Sequence, residues 1–290
     1  RHPEADMSTA SSTRLLIIDP QNDFCDLPGP LLPGPQEGCA ATPLPALPVP
    51  GADADMRRLA DLIRRIGAGL AGIEVSLDSH HPMDIAHPGW WRDESNRTPA
   101  PFTVIGLDDV ASGRWRTRDP AVQQRSLDYV RRLQEQGRYA LVVWPEHCLI
   151  GHWGHNLHAA VADSLDRWSR EQGKTVDYLF KGSNPFTEHY SALRAEVPDP
   201  ADPATLASPG LLARMASAER VLVAGEALSH CVASTVRDLA DALGPAWVKR
   251  LVLLSDASSP VAGFESLGRS FVDDMRSRGA SFVRCADLTA

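Results

Sequence analysis

The stretch VLVAGEALSHC, residues 221–231, decides the fold of this chain. Four apolar residues that end at Gly225 predict a buried strand, and apolar residues at helical spacing from Val232 to Leu239 predict a helix after it. Cys231 therefore lies at a strand-to-helix junction, where free backbone N–H groups and the helix dipole would lower the pKa of its thiol. An inert cysteine of the core would suit the same position, and position alone does not choose between the two.

Strands and helices alternate along the rest of the chain. Apolar runs predict further strands at 15–18, 73–78, 139–143, 175–180, 251–254 and 281–283. Helical periodicity appears at 56–66, 122–133, 157–168, 211–218 and 264–275. This alternation predicts an α/β fold in three layers, with a parallel sheet covered on both faces through right-handed crossovers. In such sheets, ligands bind at the carboxyl ends of the strands.

The composition suits a globular protein that acts on a small molecule. The chain has 290 residues, of which 43% are hydrophobic, and we predict a single domain over residues 14–290 after a disordered segment, 1–13. Long insertions are expected near 27–50 and 91–143. A net charge of -8 offers no basic surface for nucleic acid or an anionic membrane, and no segment is apolar enough for a membrane span or a signal peptide. Five scattered cysteines without a C-x-x-C pair favour a reducing compartment, so we expect a cytoplasmic protein.

Three predicted strands end in residues that can do chemistry, namely Asp19, Lys181 and Cys231. Taken singly, an aspartate before Pro20 is a common turn residue, and a lysine at a strand end commonly reaches solvent. Together they fit one mechanism, in which the carboxylate takes the thiol proton and later gives it to a leaving amine. The charge of Lys181 would lower the pKa of both groups, and N–H groups at the start of the helix could bind a tetrahedral oxyanion.

A metal site is a second candidate feature. Asp78 and His80 are two residues apart in an extended segment, so their side chains point to the same side, and His147 follows the next predicted strand. One carboxylate and two imidazoles are suitable ligands for Zn²⁺, Mn²⁺ or Fe²⁺. Loop histidines with structural hydrogen bonds would explain the same pattern.

Five motifs, in this order, resemble those of the isochorismatase-like cysteine hydrolases, of which nicotinamidases are the nearest named members. They are LIIDPQNDF at 16–24, DSH at 78–80, WPEHC at 144–148, FKG at 180–182 and GEALSHCV at 225–232. The resemblance implies a six-stranded, mainly parallel sheet between two helical layers. It also implies a catalytic set of Asp19, Lys181 and Cys231 and one divalent metal ion, zinc before manganese or iron, held by Asp78, His80 and His147.

The same resemblance implies further details of the site. Backbone N–H groups of Ala227 and Cys231 would form the oxyanion hole, next to a cis peptide bond between Glu226 and Ala227. Phe24 and Trp144 would line the pocket for the substrate ring. A homo-oligomer is also expected by this analogy.

Three departures from the family pattern affect the substrate. His230 stands where nicotinamidases usually carry a tyrosine, so we include it among the pocket residues. The segment 84–87 replaces the usual His-x-Ser, which makes His87 and Asp84 candidates for a fourth metal ligand. The region 91–143 is longer than the family minimum.

We therefore predict a metal-containing, nicotinamidase-like cysteine amidohydrolase. It would hydrolyse a small aromatic or heteroaromatic carboxamide to the acid and ammonia through a thioester. The alternatives are a related hydrolase that acts on another small amide, ureide or carbamoyl compound, and a catalytically silent ligand-binding protein on the same fold.

Overall fold

A computed structural model describes residues 12–34 and 43–289. The strands are β1 (Thr13–Ile18), β2 (Gly72–Asp78), β3 (Trp91–Arg92), β4 (Val104–Ile105), β5 (Arg116–Thr117), β6 (Leu141–Val142), β7 (Asp177–Lys181), β8 (Arg220–Gly225), β9 (Leu251–Leu254) and β10 (Ser281–Val283). Six of them form one sheet in the order β10-β9-β8-β1-β2-β7, and every neighbouring pair is parallel. The predicted six-stranded α/β sheet is therefore confirmed.

Helices cover both faces of this sheet. They are α1 (Ala52–Ile66), α2 (Leu107–Ala111), α3 (Gln123–Gln136), α4 (Ala159–Gln172), α5 (Pro209–Ser217), α6 (Ala233–Leu243), α7 (Pro245–Val248) and α8 (Glu265–Ser277). The strand order and the right-handed crossover rule place α1 and α4 on one face and α5, α6 and α8 on the other. Among the described helices, none has the length and apolar character that crossing a membrane requires.

The two central strands, β1 and β8, are continuous apolar runs because they are buried on both faces of the sheet. Residues 15–18 of β1 and 221–225 of β8 are fully buried, because helices cover both faces of a parallel sheet. At the carboxyl end of this pair Gly225 has a φ of 118°, and a Cβ there would overlap the carbonyl oxygen of Ile18. Only glycine allows β8 to approach β1 this closely before the chain turns toward Cys231.

Two of the predicted segments differ from the structure. Residues 139–143 were expected to form a strand like the others, but only Leu141–Val142 are extended, and they pair antiparallel with Val104–Ile105 outside the central sheet. Residues 141–143 are buried and pair within the 91–143 insertion instead, and an apolar run of this length does not specify its pairing partner. Of the segment predicted to be disordered, residues 1–11 lie outside the described residues, whereas Thr13 begins β1. In the 27–50 insertion, residues 35–42 also lie outside the described residues.

Candidate active site

The carboxyl edge of the sheet brings the three proposed catalytic residues together. Asp19 follows β1, Lys181 ends β7, and Cys231 lies in a short π-helix, Leu228–Val232, between β8 and α6. The Lys181 Nζ is 2.9 Å from Asp19 Oδ2 and 3.6 Å from Cys231 Sγ. All three side chains are buried. Residues 162 and 212 positions after Asp19 in the chain thus meet it in one cluster.

Lys181 is the cation of this cluster. Its Nζ also donates to Asp78 Oδ1 at 3.0 Å and to the carbonyl oxygen of His189 at 2.9 Å. Burial alone would lower the pKa of Lys181, but the charges of Asp19 and Asp78, together with Cys231, raise this pKa well above its usual value. The ammonium group therefore stays charged and compensates two buried carboxylates.

The pKa values of Cys231 and Asp19 differ from the sequence-based expectation. Burial raises the pKa of the Cys231 thiol well above its usual value, and the opposing charge of Lys181 does not reverse this. Burial likewise raises the pKa of Asp19, again against the effect of Lys181. The charge of Lys181 does lower both pKa values, as expected, but desolvation outweighs it, so the net shift of each pKa is upward. A thiol with a raised pKa needs a base to become a nucleophile.

The turn from Ala227 to Cys231 contains the two backbone N–H groups that are expected to form the oxyanion hole. The Glu226–Ala227 peptide bond is cis, as the resemblance implies. The first turn after it is π-helical, with the N–H of Val232 donating to the carbonyl of Ala227 at 3.2 Å. In the described part of the chain, the N–H of Ala227 donates to no backbone acceptor. This donor is therefore available to an oxyanion.

The three proposed metal ligands also lie together. One ligand atom from each of Asp78, His80 and His147 falls within 4.8 Å of the others, and all three side chains are buried. The Asp78 Oδ2 is 3.0 Å from His80 Nε2 and 3.5 Å from His147 Nε2. Gly182, with a φ of 82°, packs closely against this group. A Cβ at this position would lie only 2.8 Å from Asp78 Oδ1.

Hydrogen bonds on the far side of each ring orient the imidazoles. The Nδ1 of His80 is 3.1 Å from Asp84 Oδ2, and the Nδ1 of His147 is 2.8 Å from the carbonyl oxygen of Pro145. These contacts leave the Nε2 atoms facing Asp78, as in metal-binding histidines with an outer partner. Asp84 is thus placed behind His80 rather than inside the cluster.

His87 is better placed than Asp84 for a fourth ligand. Its ring centroid is 5.1 Å from that of His80 and 5.4 Å from that of His147. Its Nδ1 donates to the carbonyl oxygen of His81 at 3.1 Å, and its buried Nε2 has no hydrogen-bond partner within the residues described. Burial and the neighbouring histidines lower the pKa of His87 to about 2, so Nε2 keeps its lone pair. A carboxylate and three imidazoles suit a zinc, iron or manganese ion.

Aromatic side chains line the region beside Cys231. The predicted pocket residue Phe24 lies against the His147 ring, with centroids 5.5 Å apart, and Trp144 lies against His230 at 5.1 Å. The sequence analysis did not identify three other aromatic residues around His230, which are Tyr139, Tyr190 and Phe264. It also did not identify His189, whose carbonyl oxygen accepts a hydrogen bond from Lys181. His189 and Tyr190 lie in a connecting segment without periodicity, where the sequence has no signal for them.

Comparisons with known proteins identify the fold. Neither models of known protein families nor curated protein sequences match this chain. Among solved structures, the yeast nicotinamidase Pnc1p is 17% identical, with a TM-score of 0.60 over 93% of this chain and 99% of that chain. A nicotinamidase and pyrazinamidase of Acinetobacter baumanii is 20% identical, with a TM-score of 0.58 over 97% and 99% of the two chains.

A third solved structure contains a metal. The pyrazinamidase of Pyrococcus horikoshii in complex with zinc is 19% identical, with a TM-score of 0.51 over 94% of this chain and 99% of that chain. At these identities the similarity shows the fold, and it spans nearly the whole of each chain. The predicted isochorismatase-like hydrolase fold is therefore confirmed.

Proposed function

We propose that this protein is a metal-containing cysteine amidohydrolase that releases ammonia from a small heteroaromatic carboxamide. The buried cluster carries the proposal, since Lys181 Nζ lies 2.9 Å from Asp19 Oδ2 and 3.6 Å from Cys231 Sγ. A base, a cation and a nucleophile at this spacing have the geometry that covalent catalysis needs. The fold shared with nicotinamidases and a pyrazinamidase supports the same reaction class.

The first half of the reaction forms a thioester. Asp19 takes the thiol proton as the Cys231 sulfur attacks the amide carbonyl carbon. The resulting oxyanion accepts hydrogen bonds from the N–H groups of Ala227 and Cys231, and a donor of this kind contributes roughly 3 kcal/mol. The C–N bond then breaks, Asp19 returns its proton to the nitrogen, and ammonia leaves.

The second half restores the enzyme. Asp19 takes a proton from a water molecule, which attacks the thioester carbonyl. The C–S bond breaks, the acid is released, and the proton returns to the sulfur of Cys231. Through both halves Lys181 holds the carboxylate of Asp19 in place and compensates its charge.

Metal binding is the second part of the proposal. Asp78, His80, His147 and His87 would hold the ion, with zinc as the first candidate because the zinc-bound pyrazinamidase has the same fold. When bound, such an ion supplies a Lewis-acid contact that orients the ring of the substrate.

The test is ammonia release from nicotinamide and pyrazinamide by the purified protein. Cys231→Ala should lower the rate by at least about 10⁴-fold, since removal of a nucleophile costs roughly this much or more. Cys285→Ala is the matched control, because Cys285 is also buried but belongs to the segment after β10. Turnover by Cys231→Ala near the wild-type rate would exclude the covalent mechanism.

A hydrolase for another small amide, ureide or carbamoyl compound is the second candidate. It is favoured by His230, which follows Ser229 and precedes Cys231 where nicotinamidases usually carry a tyrosine. Rates on a panel of ureides and carbamoyl compounds, set beside nicotinamide, distinguish the two candidates. Fast turnover of a ureide with none of nicotinamide would favour the second.

A further inference from the structure

A hydrogen-bond chain sets the tautomer of His230. The N–H of Val261 donates to Ser229 Oγ at 3.1 Å, and this oxygen lies 2.9 Å from His230 Nδ1. Within the residues that the structure covers, Nδ1 is the acceptor available to the hydroxyl hydrogen of Ser229. Nδ1 is therefore the acceptor in this contact, and we assign the ring proton to Nε2. The imidazole presents an N–H donor on its far side.

This donor lies in an aromatic enclosure. The ring of His230 packs against four aromatic rings at centroid distances of 4.9 to 5.5 Å, namely Tyr139, Trp144, Tyr190 and Phe264. Burial among them lowers the pKa of His230 to about 4, so the ring is neutral near pH 7. No acceptor for Nε2–H is found among residues 12–34 and 43–289.

A second donor is in the same enclosure. The hydroxyl oxygen of Tyr190 accepts the indole N–H of Trp144 at 3.0 Å, which leaves its own hydrogen to donate. The described side chains and backbone contain no acceptor for it, and no hydrogen bond joins it to His230. The rings of His230 and Tyr190 are 5.3 Å apart, so the two donor-bearing side chains are neighbours in this enclosure.

We propose that His230 Nε2–H and Tyr190 O–H form a subsite for a hydrogen-bond acceptor on the ring of the substrate. The inference rests on the proposed amidase function and adds the substrate class to it. The Cys231 sulfur is within 4.8 Å of a carboxylate oxygen of Asp78, and His230 is the residue before Cys231 in the π-helix, so we place the two donors on the side of the nucleophile away from Asp78. The preferred ring therefore has one acceptor toward Asp78 and another on the opposite side.

This arrangement predicts an order of substrates. Pyrazinamide has two ring nitrogens on opposite sides, nicotinamide has one, and benzamide has none. A buried donor that faces a C–H group loses its hydrogen bond, so a site with such donors discriminates against rings without the second acceptor. The kcat/KM should fall from pyrazinamide to nicotinamide to benzamide.

The experiment measures kcat/KM for pyrazinamide and nicotinamide in the wild type and in three variants. His230→Phe and Tyr190→Phe should each lower the pyrazinamide-to-nicotinamide ratio roughly fivefold, the value of one neutral hydrogen bond. Tyr190→Phe removes a single oxygen, so it tests the subsite even where His230→Phe disturbs folding. In the control Tyr139→Phe the ratio should stay as in the wild type, because the Tyr139 hydroxyl already donates its hydrogen to the carbonyl oxygen of Ser229 at 3.5 Å.

Binding separates this inference from the proposed function. Calorimetry with Cys231→Ala, alone and combined with Tyr190→Phe, measures the affinity for both amides without turnover. If Cys231→Ala binds pyrazinamide more tightly than nicotinamide, and Tyr190→Phe removes this difference, the subsite is supported even in a protein without amidase activity. An unchanged ratio in both His230→Phe and Tyr190→Phe, with hydrolysis retained, overturns the subsite and leaves the amidase proposal intact. Binding of neither amide overturns the subsite.

Discussion

Replacing Lys181 with methionine, Lys181→Met, tests whether one buried cation compensates two carboxylates. The Lys181 Nζ is 2.9 Å from Asp19 Oδ2 and 3.0 Å from Asp78 Oδ1, and all three side chains are at most 5% exposed. Methionine fills a similar volume but has no charge. The variant therefore leaves two buried carboxylates next to each other without a counterion.

The expected loss of stability is large. Removing one partner of a buried ion pair costs about 3–5 kcal/mol, because the other charge stays buried without compensation. Part of this loss is avoided when Asp19 binds a proton: burial already raises its pKa, and Lys181 opposes that rise. In the variant the folded-state pKa of Asp19 is higher still, so stability falls as pH increases above the unfolded value. The difference from the wild type should thus grow with pH.

The assay is urea denaturation of metal-free protein between pH 5 and 8, together with ammonia release. Lys174→Met is the matched control, since Lys174 is exposed and its Nζ donates to a backbone carbonyl; we expect a change within about 0.5 kcal/mol. The double variant Lys181→Met/Asp19→Asn should recover part of the stability but no activity. A free energy of unfolding for Lys181→Met within about 1 kcal/mol of the wild type at every pH would refute the reasoning.

Three further predictions concern other parts of the molecule. Asp84→Asn should weaken zinc binding about 10- to 100-fold in competition with a chelating dye, because Asp84 orients the Nδ1 of His80. Burial raises the pKa of Glu196 to about 7, above the usual value of about 4.5, so the folded protein favours the protonated carboxyl group. The free energy of unfolding is therefore highest below about pH 4.5 and decreases as the pH rises to about 7. Glu196→Gln, which does not titrate, should therefore gain up to about 3 kcal/mol relative to the wild type across that range in urea denaturation. Gly225→Ala should cost about 3 kcal/mol of unfolding free energy, since its Cβ would overlap the Ile18 carbonyl.

Each of these has a contrary outcome. Equal zinc affinity in Asp84→Asn would show that the His80 ring is held without this carboxylate. Parallel pH profiles for Glu196→Gln and the wild type would mean that Glu196 is ionised in the folded protein. A wild-type free energy of unfolding for Gly225→Ala would show that β8 can move away from Ile18.

The sequence by itself determined the fold and the chemical inventory of the site. Buried parallel strands are continuous apolar runs, so β1 and β8 could be recognised from composition alone. Because parallel strands align their carboxyl ends, residues that follow them share one edge of the sheet. This rule placed Asp19, Lys181 and Cys231 together without any knowledge of distances.

Tertiary structure alone decided the remaining features. The structure places His87, rather than Asp84, against the proposed metal ligands, and it places Tyr190, from a segment without periodicity, against His230. It also reversed the expected pKa shift of Cys231, because position at a helix start is a local property whereas desolvation depends on every group packed around the sulfur. Pairing partners, burial and orphaned donors arise from contacts between residues far apart in the chain, and local sequence patterns do not encode them.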